Sequence, residues 1–255
     1  MNTVEPTLVL MPGLDGSGEL FESFEALLPA ELARCRISYA ASLPAAIDAY
    51  VEHVQAQLPA HGPLIVIAES FSGPTAIQLA QQLGNRLKAL ILCASFASTP
   101  HPLTSLASRL PVSLLAPIKK HRQLLRQTCM GTQAPASVVE RLSQTLQHLD
   151  GRIIQQRLRL LASIDSTRQL QALNLPMLLL QATNDWLVTT KAQRQLEAAA
   201  PRAQIIRIAG PHFLLQALPE ICWQRIQTWM KQHALLSRPD DLPTASGPLK
   251  MSHSP

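Results

Sequence analysis

The chain has 255 residues, of which 47% are hydrophobic and 15% charged, with a formal net charge of +5. This composition is typical of one folded globular domain and excludes a largely disordered chain. No apolar run reaches the ~18–20 residues of a membrane-spanning helix. Aromatic residues make up only 4% and are not interleaved with the basic ones, which argues against a nucleic-acid-binding protein.

Short apolar runs predict six strands along the chain, at residues 7–11, 36–40, 63–68, 88–94, 176–182 and 204–209. Runs that are apolar throughout are typical of strands buried on both faces of a parallel sheet. Helical patterns lie between and after them, at about residues 44–58, 73–83, 191–199 and 219–235. This alternation predicts the α/β class, with a mostly parallel central sheet and helices on both faces.

A glycine-rich turn, Pro12-Gly13-Leu14-Asp15-Gly16-Ser17-Gly18, follows the first predicted strand. It lacks the Gly-Lys-Ser/Thr ending of a phosphate loop and the spacing of a dinucleotide-binding motif. A turn of this kind can present a backbone N–H to the oxyanion that develops in acyl transfer. We predict that Leu14 supplies such a donor; the alternative is a flexible connector without a role in binding.

The third predicted strand runs into a helix around Ser70, in Ala68-Glu69-Ser70-Phe71-Ser72-Gly73. A serine at such a turn has a strained backbone that raises its hydroxyl above the sheet, within reach of a histidine. Ala68 and Ser72 stand where glycine is common, and both are small enough for the turn. Ser70 is therefore predicted to be a nucleophile and Phe71 the second oxyanion donor. The alternative is that Ser70 only caps the helix.

Asp185 and His212 each lie just past a later predicted strand. Ligands of open parallel sheets bind at these carboxyl ends of the strands. His212 would accept the proton of Ser70, and Asp185 would orient the imidazole. The alternatives are an ordinary loop aspartate and a histidine bonded to backbone. No other histidine follows a predicted strand in the required order.

These motifs together resemble the α/β-hydrolase superfamily. The resemblance covers most of residues 5–235, although Pro12-Gly13 stands where many members carry His-Gly. It implies a core formed by residues 1–98 and 171–236 and a helical lid, residues 99–170, above the active site. The polar residues 237–255 are predicted to be a disordered tail.

The insertion at residues 99–170 has leucine, valine and isoleucine at helical spacing. Ser137 and Glu140 form a sequence typical of a capping box, which predicts that a helix begins there. Such a lid would line an apolar acyl or alkyl pocket. The residues that carry the periodicity are Leu103, Leu106, Leu110, Val138, Leu142, Leu146, Ile154, Leu158 and Leu161.

Basic residues are concentrated in the insertion. Residues 101–170 hold ten lysines and arginines against three acidic residues, a net charge of +7, whereas the rest of the chain sums to −2. We predict that Arg152, Arg157 and Arg159 steer an acidic substrate or partner, such as acyl carrier protein or coenzyme A, towards the pocket. The alternative is a solvated outer face. The arrangement is similar to compact esterases that cleave the methyl ester of a pimeloyl chain on its carrier protein.

The predicted function is hydrolysis of carboxylic esters through an acyl-enzyme, without a metal or an organic cofactor. Thioester cleavage, perhydrolysis and carbon–carbon hydrolysis remain alternatives, and so does a non-catalytic receptor for hydrophobic ligands. The four cysteines lie far apart without metal-site spacing, and the N-terminus has no basic, apolar leader. We therefore expect reduced thiols and a cytoplasmic location.

Overall fold

The computed structural model describes residues 5–111, 126–131 and 134–236. Its centre is a six-stranded sheet in the order β2-β1-β3-β4-β5-β6, and every neighbouring pair is parallel. The predicted α/β fold with a parallel sheet is confirmed. The strands are β1 (Thr7–Met11), β2 (Arg34–Arg36), β3 (Leu64–Glu69), β4 (Leu87–Cys93), β5 (Met177–Ala182) and β6 (Gln204–Ile208).

Five strands begin within one residue of their predicted positions, but the second does not. The prediction of residues 36–40 was wrong because β2 is a three-residue edge strand, Arg34–Arg36. The apolar residues that suggested a strand, Ile37 and Tyr39, are buried in the core from a loop beyond it. Burial alone does not distinguish a strand from a loop that covers the end of a sheet.

Helices cover both faces of the sheet. Residues that alternate along the central strands β1, β3, β4 and β5 belong to two separate apolar clusters: in β3, Val66 belongs to one cluster and Ile67 to the other. This is why the central strands are almost entirely apolar. The helices are α1 (Glu22–Glu25), α2 (Ile47–Gln55), α3 (Ser72–Leu83), α4 (Thr104–Ala107), α5 (Ala136–His148), α6 (Gly151–Ser163), α7 (Thr167–Gln171), α8 (Thr190–Ala199), α9 (Leu214–Ala217) and α10 (Pro219–Gln232).

Each face of the sheet is covered by its own set of helices. Helices α2, α3, α7 and α8 pack on the first face, and the inner residues of α6, Leu160 and Leu161, join the same cluster. Helices α1, α9 and α10 pack on the second face. No helix in the described part of the chain is long and apolar enough to cross a membrane.

The final helix, α10, is shorter than predicted. Cys222, Ile226 and Trp229 are buried as expected. His233, predicted to share their face, is exposed because the helix ends at Gln232. The imidazole of His233 caps that end instead, with Nδ1 2.9 Å from the carbonyl oxygen of Trp229.

The insertion contains the predicted helices, with different boundaries. The capping-box prediction was wrong: α5 begins at Ala136 after Pro135, and Ser137 lies inside its first turn. Leu103 and Leu106 are about 60% exposed rather than part of an apolar wall (60% and 59%). Residues 112–125 and the predicted tail at 237–255 lie outside the described residues, so the division into core, lid and tail stays a prediction.

Candidate active site

Ser70 occupies a sharp turn between β3 and α3. Its φ is +46°, a left-handed conformation that is strained for a residue with a side chain. The turn is held by hydrogen bonds from the N–H of Ser70 to Cys93 O (2.9 Å) and from Ser95 Oγ to Ser70 O (2.7 Å). Ser70 does not cap α3, because Phe71 is the N-cap residue and no side chain caps it. The helix-cap alternative is therefore wrong.

Close packing explains the small residues of this turn. A Cβ at Gly73 would lie 1.8 Å from Ser95 Oγ, so only glycine fits there. Ser72 adds more than small size: its hydroxyl is buried and donates a hydrogen bond to Pro12 O. Tyr39 Oη lies 2.5 Å from the same hydroxyl and acts as its donor. The departure from glycine at position 72 therefore connects the serine turn to the glycine-rich turn.

The structure brings Ser70, His212 and Asp185 into one hydrogen-bonded chain. His212 Nε2 lies 2.8 Å from Ser70 Oγ, and His212 Nδ1 lies 2.8 Å from Asp185 Oδ2. The side chains of His212 and Asp185 are both buried. The other oxygen of Asp185, Oδ1, accepts hydrogen bonds from the N–H groups of Leu187 and Val188, at 2.8 Å each. These contacts fix the carboxylate and, through it, the imidazole.

The glycine-rich turn lies beside Ser70, because β1 and β3 are neighbours in the sheet. The N–H of Gly16 donates to Gly13 O at 3.1 Å, which directs that carbonyl into the turn. A trans peptide directs the next N–H, that of Leu14, the opposite way. Within the described residues, no acceptor is found for the N–H of Leu14 or of Phe71. Both are available as donors, as the oxyanion prediction requires.

Sequence reasoning did not single out Glu69, which lies directly before Ser70. Its carboxyl is buried, and burial is the main cause that raises its pKa from 4.5 to about 8. Oε2 accepts a hydrogen bond from Gln216 Nε2 at 3.0 Å, and Oε1 has no partner among the described residues. A glutamate at the end of an apolar strand was the signal that could have drawn attention to it.

Arg157 was predicted to steer an acidic partner, and that prediction was wrong. Its side chain is 1% exposed because it lies on the inner face of α6, and Nη1 donates to Leu14 O at 2.6 Å. A buried cation cannot present its charge at the surface. Arg152 and Arg159 are exposed on the same helix and stay candidates.

A cavity of about 280 Å³ borders the loops that carry Asp185 and His212. Among the described residues of the insertion, Met130, Gly131 and Ala134 line it, and none of the predicted leucines and isoleucines does. Trp186, beside Asp185, lines it from the other side and is 71% exposed. The remaining lining residues are Asn184, Ala209, Gly210, Pro211, Ala217 and Leu218.

The fold agrees with comparisons to known proteins. Residues 32–212 match the family described as serine aminopeptidase, S33, and the chain belongs to this family. The predicted membership of the α/β-hydrolase superfamily is confirmed, and the protein is a hydrolase by class. No curated protein matches the chain significantly.

Solved structures support the fold at low sequence identity. A lipase-esterase related protein from Clostridium acetobutylicum is 15% identical, with a TM-score of 0.72 over 89% of this chain and 96% of that one. The enol-lactonase of Burkholderia xenovorans is 16% identical, with a TM-score of 0.71 over 89% and 92%. An esterase from Thermogutta terrifontis is 19% identical, with a TM-score of 0.67 over 91% of each chain.

Proposed function

We propose that the protein hydrolyses carboxylic esters through a covalent acyl-enzyme on Ser70. The observation that carries the proposal is the continuous chain from Asp185 through His212 to Ser70, with 2.8 Å at each step. It joins a nucleophile, a base and a group that orients the base, in a strained turn typical of nucleophilic serines.

In the first half of the reaction, Ser70 Oγ attacks the ester carbonyl while His212 Nε2 takes its proton. The negative charge that develops on the carbonyl oxygen is bound by the N–H groups of Leu14 and Phe71. The C–O bond to the alcohol then breaks, and His212 returns the proton to the departing oxygen. Asp185 accepts a hydrogen bond from Nδ1–H and stabilises the imidazolium.

In the second half, His212 deprotonates a water molecule that attacks the acyl-enzyme. The tetrahedral intermediate collapses, the carboxylic acid leaves, and Ser70 recovers its proton. The raised pKa of Glu69, about 8, leaves its carboxyl mostly neutral at pH 7. A neutral carboxyl at this position does not repel the negative charge that develops on the carbonyl oxygen of the substrate.

The substrate class is supported less directly. Similar structures include proteins named as esterases and an enol-lactonase, which favours ester or lactone substrates. The cavity beside Asp185 has apolar lining residues, including Met130 and Leu218, which suit an apolar acyl or alkyl group. Thioesters are cleaved by the same serine mechanism. The exposed Arg152 and Arg159 favour thioesters that are attached to an acidic carrier.

A fluorophosphonate probe followed by intact-mass measurement tests the mechanism. We expect one adduct per chain, on Ser70, and none in Ser70→Ala. In the same variant, turnover of p-nitrophenyl butyrate should fall by about 10⁴-fold or more. Ser163→Ala, which removes an exposed hydroxyl at the end of α6, is the matched control and should behave as the native protein.

A substrate panel then separates the alternatives. It should contain p-nitrophenyl esters from acetate to decanoate, acyl-coenzyme A thioesters and aminoacyl p-nitroanilides. Esters should give the highest kcat/KM. A native protein that neither reacts with the probe nor turns over any of these substrates would support the alternative of a non-catalytic receptor.

A further inference from the structure

Arg157 is a buried cation without a carboxylate partner. Its side chain is 1% exposed among the apolar residues of the inner face of α6. No described carboxylate lies within 4.0 Å of it, and its Nε has no hydrogen-bond partner there. An apolar side chain would cost less to bury than a charge without a counter-ion. The position therefore calls for a reason other than stability.

The contacts of the guanidinium supply that reason. Nη1 donates to Leu14 O at 2.6 Å, and Cζ lies 5.9 Å from the centre of the Phe71 ring. One side chain thus contacts both residues whose N–H groups are the proposed oxyanion donors. The turn fits closely around it, since a Cβ at Gly16 would lie 2.4 Å from Nη1.

Three consecutive carbonyls of the turn are held in place. Pro12 O accepts from Ser72 Oγ, Gly13 O accepts from the N–H of Gly16, and Leu14 O accepts from Arg157. With these carbonyls fixed, the peptide planes on both sides of the Leu14 N–H cannot rotate freely. Tyr39 contacts both side chains that donate to the first and last of these carbonyls. Its hydroxyl bonds to Ser72, and its ring centre lies 5.8 Å from Cζ of Arg157.

We propose that Arg157 is a positioning residue, through which helix α6 of the insertion holds the Leu14 and Phe71 donors in the geometry that binds the oxyanion. The inference rests on the proposed function. Oxyanion donors act by being aligned before the charge develops. Loss of Arg157 should therefore lower kcat more than it changes KM, and movement of α6 should change the reactivity of Ser70 without any contact to substrate.

The test compares Arg157→Met, Arg157→Lys and a control, Arg194→Met, at an exposed arginine of α8. Methionine replaces the side chain as far as Nε and removes the guanidinium with its charge and donors, and lysine keeps the charge with a smaller, non-planar head. For p-nitrophenyl butyrate, Arg157→Met should lower kcat by about 10–100-fold, with KM within about twofold. Arg157→Lys should be intermediate, and the control should match the native protein.

Two further measurements separate positioning from a general structural effect. Phenylboronic acid, which forms a negatively charged tetrahedral adduct on serine, should bind more weakly in parallel with kcat/KM. Amide exchange followed by mass spectrometry should be faster in the peptide that contains residues 12–18 and unchanged in β5 and β6. If Arg157→Met does not unfold cooperatively, Arg157→Lys decides the question through the same measurements.

Native kcat or native exchange of the turn in a folded Arg157 variant would overturn the proposal. Faster exchange with unchanged kcat would also overturn it, since the turn would then be held for another purpose. The exchange measurement needs no turnover. An inactive native protein would therefore refute the proposed hydrolysis, while the exchange of the turn would still show whether Arg157 holds it.

Discussion

The two sides of Ser70 differ in how firmly they are held. On the β1 side, the glycine-rich turn accepts hydrogen bonds from the buried side chains of Ser72 and Arg157, and the Tyr39 hydroxyl in turn bonds to Ser72. On the β5–β6 side, Asp185 and His212 are fixed, but a cavity and the exposed Trp186 lie next to them. The buried side suits the proposed charge stabilisation, and the exposed loops beside the cavity suit the proposed substrate contact, since exposed loop residues can vary without disturbing the chemistry.

The largest effect should come from the group that orients the base. Asp185→Asn keeps the size of the side chain but cannot hold His212 in the tautomer that accepts the serine proton. We expect kcat to fall by about 10⁴-fold, with a nearly native melting temperature. Steady-state kinetics and thermal unfolding check this. A variant that retains a tenth of native kcat would show that His212 acts without its carboxylate.

Glu69 should make the free energy of unfolding of the protein decrease towards alkaline pH. The pKa of this group is about 8 in the folded protein and near 4.5 when unfolded, so its contribution to stability is complete below pH 4.5 and is lost as pH rises to about 8. The native free energy of unfolding should fall relative to that of Glu69→Gln by up to about 1.4 kcal/mol per pH unit within this window. Urea unfolding at pH 5 and pH 8.5 measures the change. An equal difference between the two proteins at both pH values would contradict it.

The cavity on the β5–β6 side should govern which substrates bind. Trp186→Ala removes an exposed aromatic side chain that lines the cavity. We expect KM for long-chain p-nitrophenyl esters to rise by about 3–10-fold, because the acyl chain would bury less apolar surface on binding. KM for the acetate ester and kcat for all esters should change little. A uniform loss of kcat across chain lengths would mean that Trp186 supports the Asp185 loop instead.

The smallest effect concerns the exposed charges of α6. Arg152→Gln combined with Arg159→Gln should lower kcat/KM for an acyl-carrier thioester by about 2–5-fold at low salt and leave neutral esters unaffected. The difference should vanish at ~0.5 M salt, where the Debye length is only a few ångströms. Unchanged kcat/KM at low salt would favour the solvated-surface alternative.

Much of this site could be predicted because patterns in the local sequence mark its residues. The turn at Ser70 needs a strand, small residues and a helix in immediate succession, and Asp185 and His212 each follow an apolar run. Arg157 shows the opposite case. Its position, three residues after Ile154 and four before Leu161, already lies on the apolar face of α6, but long basic side chains at such positions often extend to solvent. Only the packing against Tyr39 and Phe71 decides that it is buried.

The sequence by itself determined the α/β class, the positions of five strands along the chain and the residues that meet above them, because parallel strands carry the residues after them to one edge of the sheet. Only the tertiary structure decided the length of β2, the raised pKa of Glu69 and the buried place of Arg157. Burial and pKa depend on what packs around a group from distant parts of the chain, and no local pattern records those neighbours.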